Sequence, residues 1–219
     1  MQVAYLLYDR FTALDITGPH DVLNWVPVVE SVFVAEEAGP VRNESDTLSL
    51  VADASIAEVT EPDIVVVPGG FGTRAVMEHE PLLDWIRSVH ETSTWTTSVC
   101  TGALLLAAAG LLDGKRATTH WRRRELLAEL GATPVPDRVV REGRIFTAAG
   151  VSSGIDMALW LARETWGDEV AQSVQLGIEY DPEPPLDAGS PEKAPTPIVD
   201  LVTAAFEAQD AGGGVSDPA

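Results

Sequence analysis

Apolar residues in this sequence form blocks of two kinds that alternate along the chain. Short continuous runs, such as residues 3–8 and 63–67, predict strands that are buried on both faces. Segments with apolar residues at helical spacing, such as residues 81–90, predict helices between them. The other predicted strands are residues 31–35, 48–51, 95–99, 117–118, 138–140 and 144–147, and the other predicted helices are residues 101–109, 121–130, 154–166 and 169–176. This alternation predicts an α/β fold with a mostly parallel sheet and helices on both faces.

The first helix is predicted to begin at the pair Gly18-Pro19 and to run through Val22, Leu23 and Val26. In an open parallel sheet, functional sites form where strands end at the carboxyl edge. The residues that follow the predicted strands are therefore the candidates for chemistry.

Two regions of the chain differ in composition. Residues 1–180 predict one α/β domain, long enough to fold without a metal or a disulfide. From Asp181 the sequence is rich in proline, which predicts an irregular arm, then an amphipathic helix over residues 198–208 and a frayed end from Gly212. The longest apolar run is far shorter than the roughly 20 residues of a transmembrane helix, so no membrane association is predicted. The chain starts with a predicted strand rather than a signal peptide, which predicts a cytoplasmic protein.

The charge balance is strongly acidic, with 34 acidic against 14 basic residues and a net charge of −20. Such a surface repels nucleic acid phosphates and anionic lipids, so neither is predicted as a partner. Only two of the basic residues are lysines, Lys115 and Lys193. The acid excess with few lysines favours a protein from an extremely halophilic cytoplasm, where salt screens the repulsion, over an ordinary acidic cytosolic protein.

Cys100 is the single cysteine, which excludes an intramolecular disulfide and a multi-cysteine zinc site. It lies between a predicted strand and a predicted helix, with the small residues Ser98 and Gly102 two positions before and after it. That spacing is typical of a nucleophile elbow, in which a sharp turn exposes one side chain at the sheet edge. The amides at the start of the helix are expected to favour the thiolate. The alternative interpretation is a small buried core residue.

Asp15 follows the first predicted strand in an apolar setting. A carboxyl group held there would have a raised pKa and would be able to exchange a proton with the cysteine. The alternative is that Asp15 accepts hydrogen bonds from backbone amides at the start of its helix. His120 is a candidate base, with a structural role as the alternative.

Two glycine-rich segments follow predicted strands. Residues 69–72 allow close backbone approach, so their amides are candidates to stabilise an anion. Ala75 replaces the third glycine of a dinucleotide-binding loop, which argues against that function. Residues 150–154 have the small side chains that suit a pocket floor.

Taken together, these segments resemble the ThiJ/PfpI superfamily, whose fold is similar to the class I glutamine amidotransferase domain, a flavodoxin-like sandwich. The resemblance extends over about residues 2–180 and includes DITGPHD (15–21), VPGG (67–70), SVCTG (98–102), GLLDGKRATTHW (110–121) and GVSSGID (150–156). Within the superfamily, the similarity is greatest to bacterial isocyanide hydratases, and it continues through residues 175–185 and 188–191.

The resemblance implies a role for each matching residue. Cys100 would be the nucleophile, Asp15 its paired acid and Thr101 the residue that orients the site. The residues implied or predicted to contact substrate are Gly70, Phe71, His120, Gly150 and Val151. The implied reaction adds water to a small isocyanide and gives an N-substituted formamide through a covalent thioimidate on the cysteine. No cofactor or metal is implied, and the usual assembly is a homodimer.

The superfamily also contains proteins with other activities. Protease-like and deglycase-like members have a histidine after the cysteine or a glutamate on the first strand, whereas this sequence has Thr101 and Asp15. Protease, glyoxalase-type and deglycase activities are therefore not predicted. The alternative to a hydratase is a ligand or redox sensor related to the N-terminal domain of AraC-type transcription regulators.

Overall fold

Strands and helices alternate along most of the chain. The computed structural model describes residues 1–212, with side chains through residue 208. The strands are β1 (Gln2–Leu6), β2 (Glu30–Ala35), β3 (Gly39–Arg42), β4 (Ser49–Ala52), β5 (Ala54–Ser55), β6 (Ile64–Val67), β7 (Trp95–Val99), β8 (Arg116–Ala117), β9 (Thr133–Pro134), β10 (Val139–Glu142) and β11 (Ile145–Ala148). The helices are α1 (Ala13–Leu23), α2 (Thr73–Val76), α3 (Glu80–Thr92), α4 (Gly102–Ala108), α5 (Arg124–Glu129), α6 (Ser153–Trp166), α7 (Asp168–Gly177) and α8 (Thr196–Gly212).

The main sheet has seven strands in the order β10–β11–β7–β6–β1–β2–β5. All neighbours in it run parallel except β10, which is antiparallel to β11. Every residue of β6, β7 and β11 is buried, because helices cover both faces of these strands. One group of helices consists of α1, α6 and α7, and a second of α2, α3 and α4. The predicted α/β fold with a mostly parallel sheet is confirmed.

The sheet order brings four chain segments to one edge. The strands β1, β6, β7 and β11 are consecutive in the sheet and parallel, so their carboxyl ends lie side by side. The segments that follow them are residues 7–12, 68–72, 100–101 and 149–152. These contain or precede most of the predicted site residues.

The predicted start of the first helix is wrong. Helix α1 begins at Ala13, so Gly18 and Pro19 lie inside it. A Cβ on Gly18 would lie 3.1 Å from the Ile155 side chain, and one on Gly154 would lie 3.1 Å from Pro19. Close packing of α1 on α6 therefore holds this proline-containing segment helical despite the amide that proline lacks.

Other elements differ in detail. The strands β3, β5 and β9 were not predicted from the sequence. Strand β3 pairs with β4 in an antiparallel hairpin. The predicted helix over residues 121–130 begins with a 3-10 turn, Trp121–Arg123, before α5.

The chain divides into two units, Met1–Tyr180 and a second that begins at Asp181. The second unit is irregular before α8, which starts before and ends after the predicted residues 198–208. Most of the predicted frayed end, residues 213–219, lies outside the described residues. Within residues 1–212, no helix is both long and apolar enough to cross a membrane.

Candidate active site

Cys100 occupies a sharp turn between β7 and α4. Its φ is +57°, a left-handed conformation that is unfavourable for residues with a side chain. Backbone and side-chain hydrogen bonds fix the turn. The Cys100 amide donates to the carbonyls of Ala148 (3.0 Å) and Ala149 (2.8 Å). The Cys100 carbonyl accepts a hydrogen bond from the hydroxyl of Thr119 (2.9 Å). The predicted nucleophile elbow is thus present in the structure.

Glycines next to this turn permit close backbone approach. A Cβ on Gly102 would lie 2.3 Å from the carbonyl oxygen of Val67. A Cβ on Gly69 would lie 2.5 Å from the Thr101 amide nitrogen and 3.0 Å from the Cys100 Cβ. Both distances are too short for a side chain, so the two segments fit together only with glycine at both positions.

The Cys100 sulfur is nearly enclosed, and the residue is 6% exposed. The backbone amides of Thr101 and Val151 donate hydrogen bonds to it, and both lower the pKa of the thiol. Burial has the larger effect, and with the negative charges of Asp15 and Glu44 it raises the pKa of Cys100 well above its usual value. The helix amide of Thr101 favours the thiolate, as expected, but the net effect of burial and charge on the pKa of Cys100 is upward.

Asp15 is fully buried in the first turn of α1. Its Oδ2 accepts the amide hydrogen of Gly69 (2.8 Å), rather than an amide of its own helix. Its Oδ1 has no hydrogen-bond partner among the described residues. Burial raises the pKa of Asp15 well above the usual value, as predicted. This buried carboxyl is thus held beside the elbow, since Gly69 contacts both Asp15 and Cys100.

Thr101 fixes the loop after β6. The Gly70 amide donates to its Oγ1 (2.9 Å), which also lies 2.8 Å from the Thr73 Oγ1. The Thr73 hydroxyl is in turn 3.1 Å from the hydroxyl of the buried Tyr8, which donates to the carbonyl of Pro68 (2.8 Å). The Gly70 amide, predicted to stabilise an anion, is therefore bound to the threonine that follows the cysteine.

His120 lies beside the loop after β11. A Cβ on Gly150 would lie 3.0 Å from the His120 Cδ2, so the ring packs directly on this glycine. The His120 Nδ1 accepts a hydrogen bond from the Arg122 amide (3.4 Å), which caps the 3-10 turn. Burial, with the charges of the arginines at 122–124, lowers the pKa of His120 to about 4. His120 is therefore a neutral ring at neutral pH and a weak base.

The predicted substrate-contacting residues have similar exposure. All of them are half-buried: Gly70, Phe71, His120, Gly150 and Val151. Val151 is tied to the sulfur through its amide, and Gly70 is tied to Thr101. The structure also adds residues that the sequence analysis missed, namely Tyr8, Glu44 and Thr73. In the sequence, Tyr8 lies at the end of a predicted strand, Thr73 lies in a loop, and Glu44 lies in a polar hairpin turn. No motif or residue spacing therefore indicated that they belong to the site.

Two open surface clefts lie elsewhere, along α6. Their volumes are about 410 and 460 Å³, and both are lined by Asp156 and Trp160. No predicted site residue lines either cleft. Among the described residues, no group of three or more histidine, cysteine or acidic side chains is placed to hold a metal ion. The candidate site is thus the nearly enclosed elbow with its buried acid.

Comparison with known proteins gives matches that cover most of the chain. The model of the DJ-1/PfpI family matches residues 1–164. An isonitrile hydratase from Pseudomonas putida is 48% identical over 200 residues, which cover 91% of this chain and 87% of the relative. The crystal structure of a ThiJ/PfpI family protein from Pseudomonas syringae has a TM-score of 0.88 at 35% identity, covering 98% of this chain and 90% of that one. An HTH-type transcriptional regulator from Pseudomonas aeruginosa is 31% identical over 146 residues, which are 64% of this chain and 42% of the regulator.

Proposed function

Because this chain belongs to the DJ-1/PfpI family, and because it is similar over most of its length to an isonitrile hydratase, we propose that it hydrates isonitriles (isocyanides) to N-substituted formamides. One observation carries the chemistry: a buried carboxyl with a free oxygen, Oδ1 of Asp15, lies beside a cysteine on a clamped elbow. The nucleophile is Cys100, the proton-transfer group is Asp15, and Thr101 orients the loop between them.

The first half of the reaction forms a covalent intermediate. The Cys100 sulfur bonds to the terminal carbon of R–N≡C while its proton passes to Asp15, and the proton that Asp15 already holds passes to the same carbon. The product is a thioimidate, R–N=CH–S–Cys100, and Asp15 ends as it began. A raised pKa suits this role, because it favours the neutral acid, which is able to donate a proton and does not repel the sulfur as charge develops there.

The second half hydrolyses the intermediate. Water adds its oxygen to the same carbon, and one of its protons goes to the nitrogen. The C–S bond then breaks, the second proton returns to the sulfur through Asp15, and R–NH–CHO leaves. The amides of Thr101 and Val151 favour the departing thiolate, because both already donate to the sulfur. Covalent catalysis of this kind divides one difficult hydration into two easier steps.

The enclosure of the sulfur also fits this substrate class. An isocyanide presents a linear head whose reacting atom is terminal, so it needs little space to approach a residue that is 6% exposed. The half-buried residues Gly70, Phe71, His120, Gly150 and Val151 are proposed to contact the group R at the rim. No cofactor takes part in the proposed reaction.

The test is conversion of p-nitrophenyl isocyanide to its formamide in KCl solution, followed by chromatography. We expect turnover by the wild type and loss of turnover in Cys100→Ala and Asp15→Asn. Asp21→Asn is the matched control, since Asp21 is an exposed acid on the same helix α1. Mass spectrometry of acid-quenched wild type should show one adduct with the mass of the isocyanide, absent in Cys100→Ala. Unreacted isocyanide with folded wild type would favour the sensor function instead.

We also propose that the protein is a homodimer. Large apolar side chains are exposed on α1, the turn after it and α7, including Trp25 (55% exposed) and Leu176 (81%). They are neighbours, because a Cβ on Gly177 would lie 2.8 Å from the Trp25 ring. Exposed apolar clusters of this kind mark interfaces. Light scattering should show a dimer that Leu176→Glu dissociates and Val51→Glu, at another exposed apolar site, does not; a wild-type monomer would exclude it.

The remaining proposals concern organisation and setting. Residues 1–180 form the catalytic domain, and residues 181–219 form an accessory arm that takes no part in the chemistry. The protein works in a cytoplasm, where its lone thiol stays reduced. The net charge of −20 favours a halophilic one.

A further inference from the structure

The loop after β6 is held by side chains from three different segments. Three consecutive amides each donate to a different acceptor: Gly69 to Asp15, Gly70 to Thr101 and Phe71 to Glu44. The first two acceptors belong to the proposed catalytic site. The third, Glu44, lies in the turn between β3 and β4 and has no role in the mechanism above.

Glu44 is anchored at a fixed position. Its backbone amide donates to the carbonyl of Phe11 (2.9 Å), and its Oε2 accepts the hydroxyl of Thr12 (2.7 Å). Thr12 is the N-cap of α1, where a threonine hydroxyl ordinarily binds an amide of the helix, but no such bond is present. The Thr12 hydroxyl binds Glu44 instead. The carboxyl is therefore tied to the start of the helix that carries Asp15 and to the loop beside it.

The charge of Glu44 acts on the proposed reacting groups. It raises the pKa of both Asp15 and Cys100, so its field extends to the sulfur and to the acid. Glu44 itself is half-buried, which raises the pKa of its carboxyl, while the hydrogen bonds that it accepts from Thr12 and Phe71 lower that pKa and suit a carboxylate. Arg10 is the nearby opposite charge, and it is exposed to solvent. An exposed arginine offsets only part of the field of a half-buried carboxylate, because solvent screens it more.

We propose that Glu44 determines charge specificity in the proposed hydratase: its fixed carboxylate disfavours isocyanides that carry an anionic group close to the reacting carbon, and it leaves neutral isocyanides unaffected. The inference rests on the proposed function. The carboxylate is held by the Phe71 amide and the Thr12 hydroxyl, so it is unable to swing away from an anionic substrate. The half-buried arginines at 122–124 act on His120 at another part of the rim, so removal of the Glu44 charge alone isolates the contribution of this carboxylate.

The experiment compares isocyanoacetate with its neutral methyl ester at pH 8.5. The quantity measured is the ratio of kcat/KM for the anion to kcat/KM for the ester. This ratio does not depend on how much of each preparation is folded, so a partly unstable variant still gives a valid value. Wild type should prefer the ester. Glu44→Gln keeps an acceptor oxygen of the same shape without the charge, and it should raise the ratio about fivefold in about 0.2 M KCl.

Matched variants separate charge from structure. Glu91→Gln removes an exposed acid at the end of α3, next to the opposite end of β7, and should leave the ratio at the wild-type value. Arg10→Gln removes the offsetting positive charge and should lower the ratio. The Glu44→Gln effect should also shrink in molar KCl, which a purely structural role would not produce.

The outcomes are distinct. A ratio that is the same in Glu44→Gln and wild type, with the ester hydrated by both, would overturn the charge role and leave the proposed function intact. If wild type hydrates neither compound and also leaves p-nitrophenyl isocyanide unreacted, the proposed function fails and the inference fails with it. A ratio raised equally by Glu44→Gln and Glu91→Gln would assign the effect to overall charge and refute a specific role for Glu44.

Discussion

Replacement of His120 by asparagine tests whether the fold holds this ring in its neutral form. The ring is packed on Gly150, and its Nδ1 accepts the amide of Arg122, which it can do only when that nitrogen is unprotonated. Asparagine is a favoured N-cap residue and supplies a similarly placed acceptor, so the cap of the 3-10 turn is kept while the titrating group is removed.

The size of the effect follows from the lowered pKa. Burial and the neighbouring arginines hold the pKa of His120 at about 4, against 6.5 for the unfolded chain. Between these values the unfolded state binds a proton that the folded state does not, so the free energy of unfolding falls as the pH falls. The stability that depends on a neutral His120 is fully present above pH 6.5. Its loss lowers the free energy of unfolding by about 3 kcal/mol near pH 4.

Urea denaturation at constant KCl between pH 7.5 and pH 4.5 measures this pH-dependent loss of stability. The free energy of unfolding of His120→Asn, minus that of wild type, should rise by about 2–3 kcal/mol over this range. Any constant difference from lost packing cancels in this comparison. The NMR titration of the ring in folded wild type should have its midpoint near pH 4. A flat difference, or a midpoint near 6.5, would show that the ring is not held neutral as described.

Three other changes test the elbow and the surface. Asp15→Asn should lower the pH at which Cys100 ionises, because a neighbouring carboxylate disfavours the thiolate; the pH profile of iodoacetamide alkylation measures this, and an unchanged profile contradicts it. Gly102→Ala should destabilise the fold by at least about 2 kcal/mol, since the new Cβ would lie 2.3 Å from the Val67 carbonyl oxygen. Gly189→Ala, where no atom lies within 4 Å, is its denaturation control and should change stability by less than about 0.5 kcal/mol. Molar KCl should raise the melting temperature above that in low salt because it screens a net charge of −20, and equal melting would exclude halophilic adaptation.

Much of the sheet is predictable because its signal is local. The run Trp95–Val99 is apolar or β-branched at most positions, and the structure has β7 over those same residues. The start of α1 was not predictable, because Gly18 and Pro19 are helix breakers in isolation. They lie inside a helix only because α6 packs against them, which is a contact between residues more than a hundred positions apart.

The candidate site, like the fold, was predictable only in part. The positions of Cys100 and Asp15 follow from strand ends and family resemblance, and the raised pKa of Asp15 follows from its apolar surroundings. The raised pKa of Cys100 was not predictable from helix amides alone, because the larger effect is burial by residues distant in sequence. Glu44 was missed for the opposite reason: a glutamate in a polar turn is ordinarily exposed, and only the fold ties it to Thr12 and Phe71.

The enclosed sulfur of Cys100 gives the protein a built-in reporter of its own local opening. Because the chain has a single cysteine, any disulfide reagent that reacts does so at the elbow and nowhere else. The residue is 6% exposed, so bulky reagents react only when the surrounding loops separate. The rate at which Cys100 is labelled at increasing denaturant concentration would therefore distinguish local opening of the elbow from global unfolding, without an introduced probe.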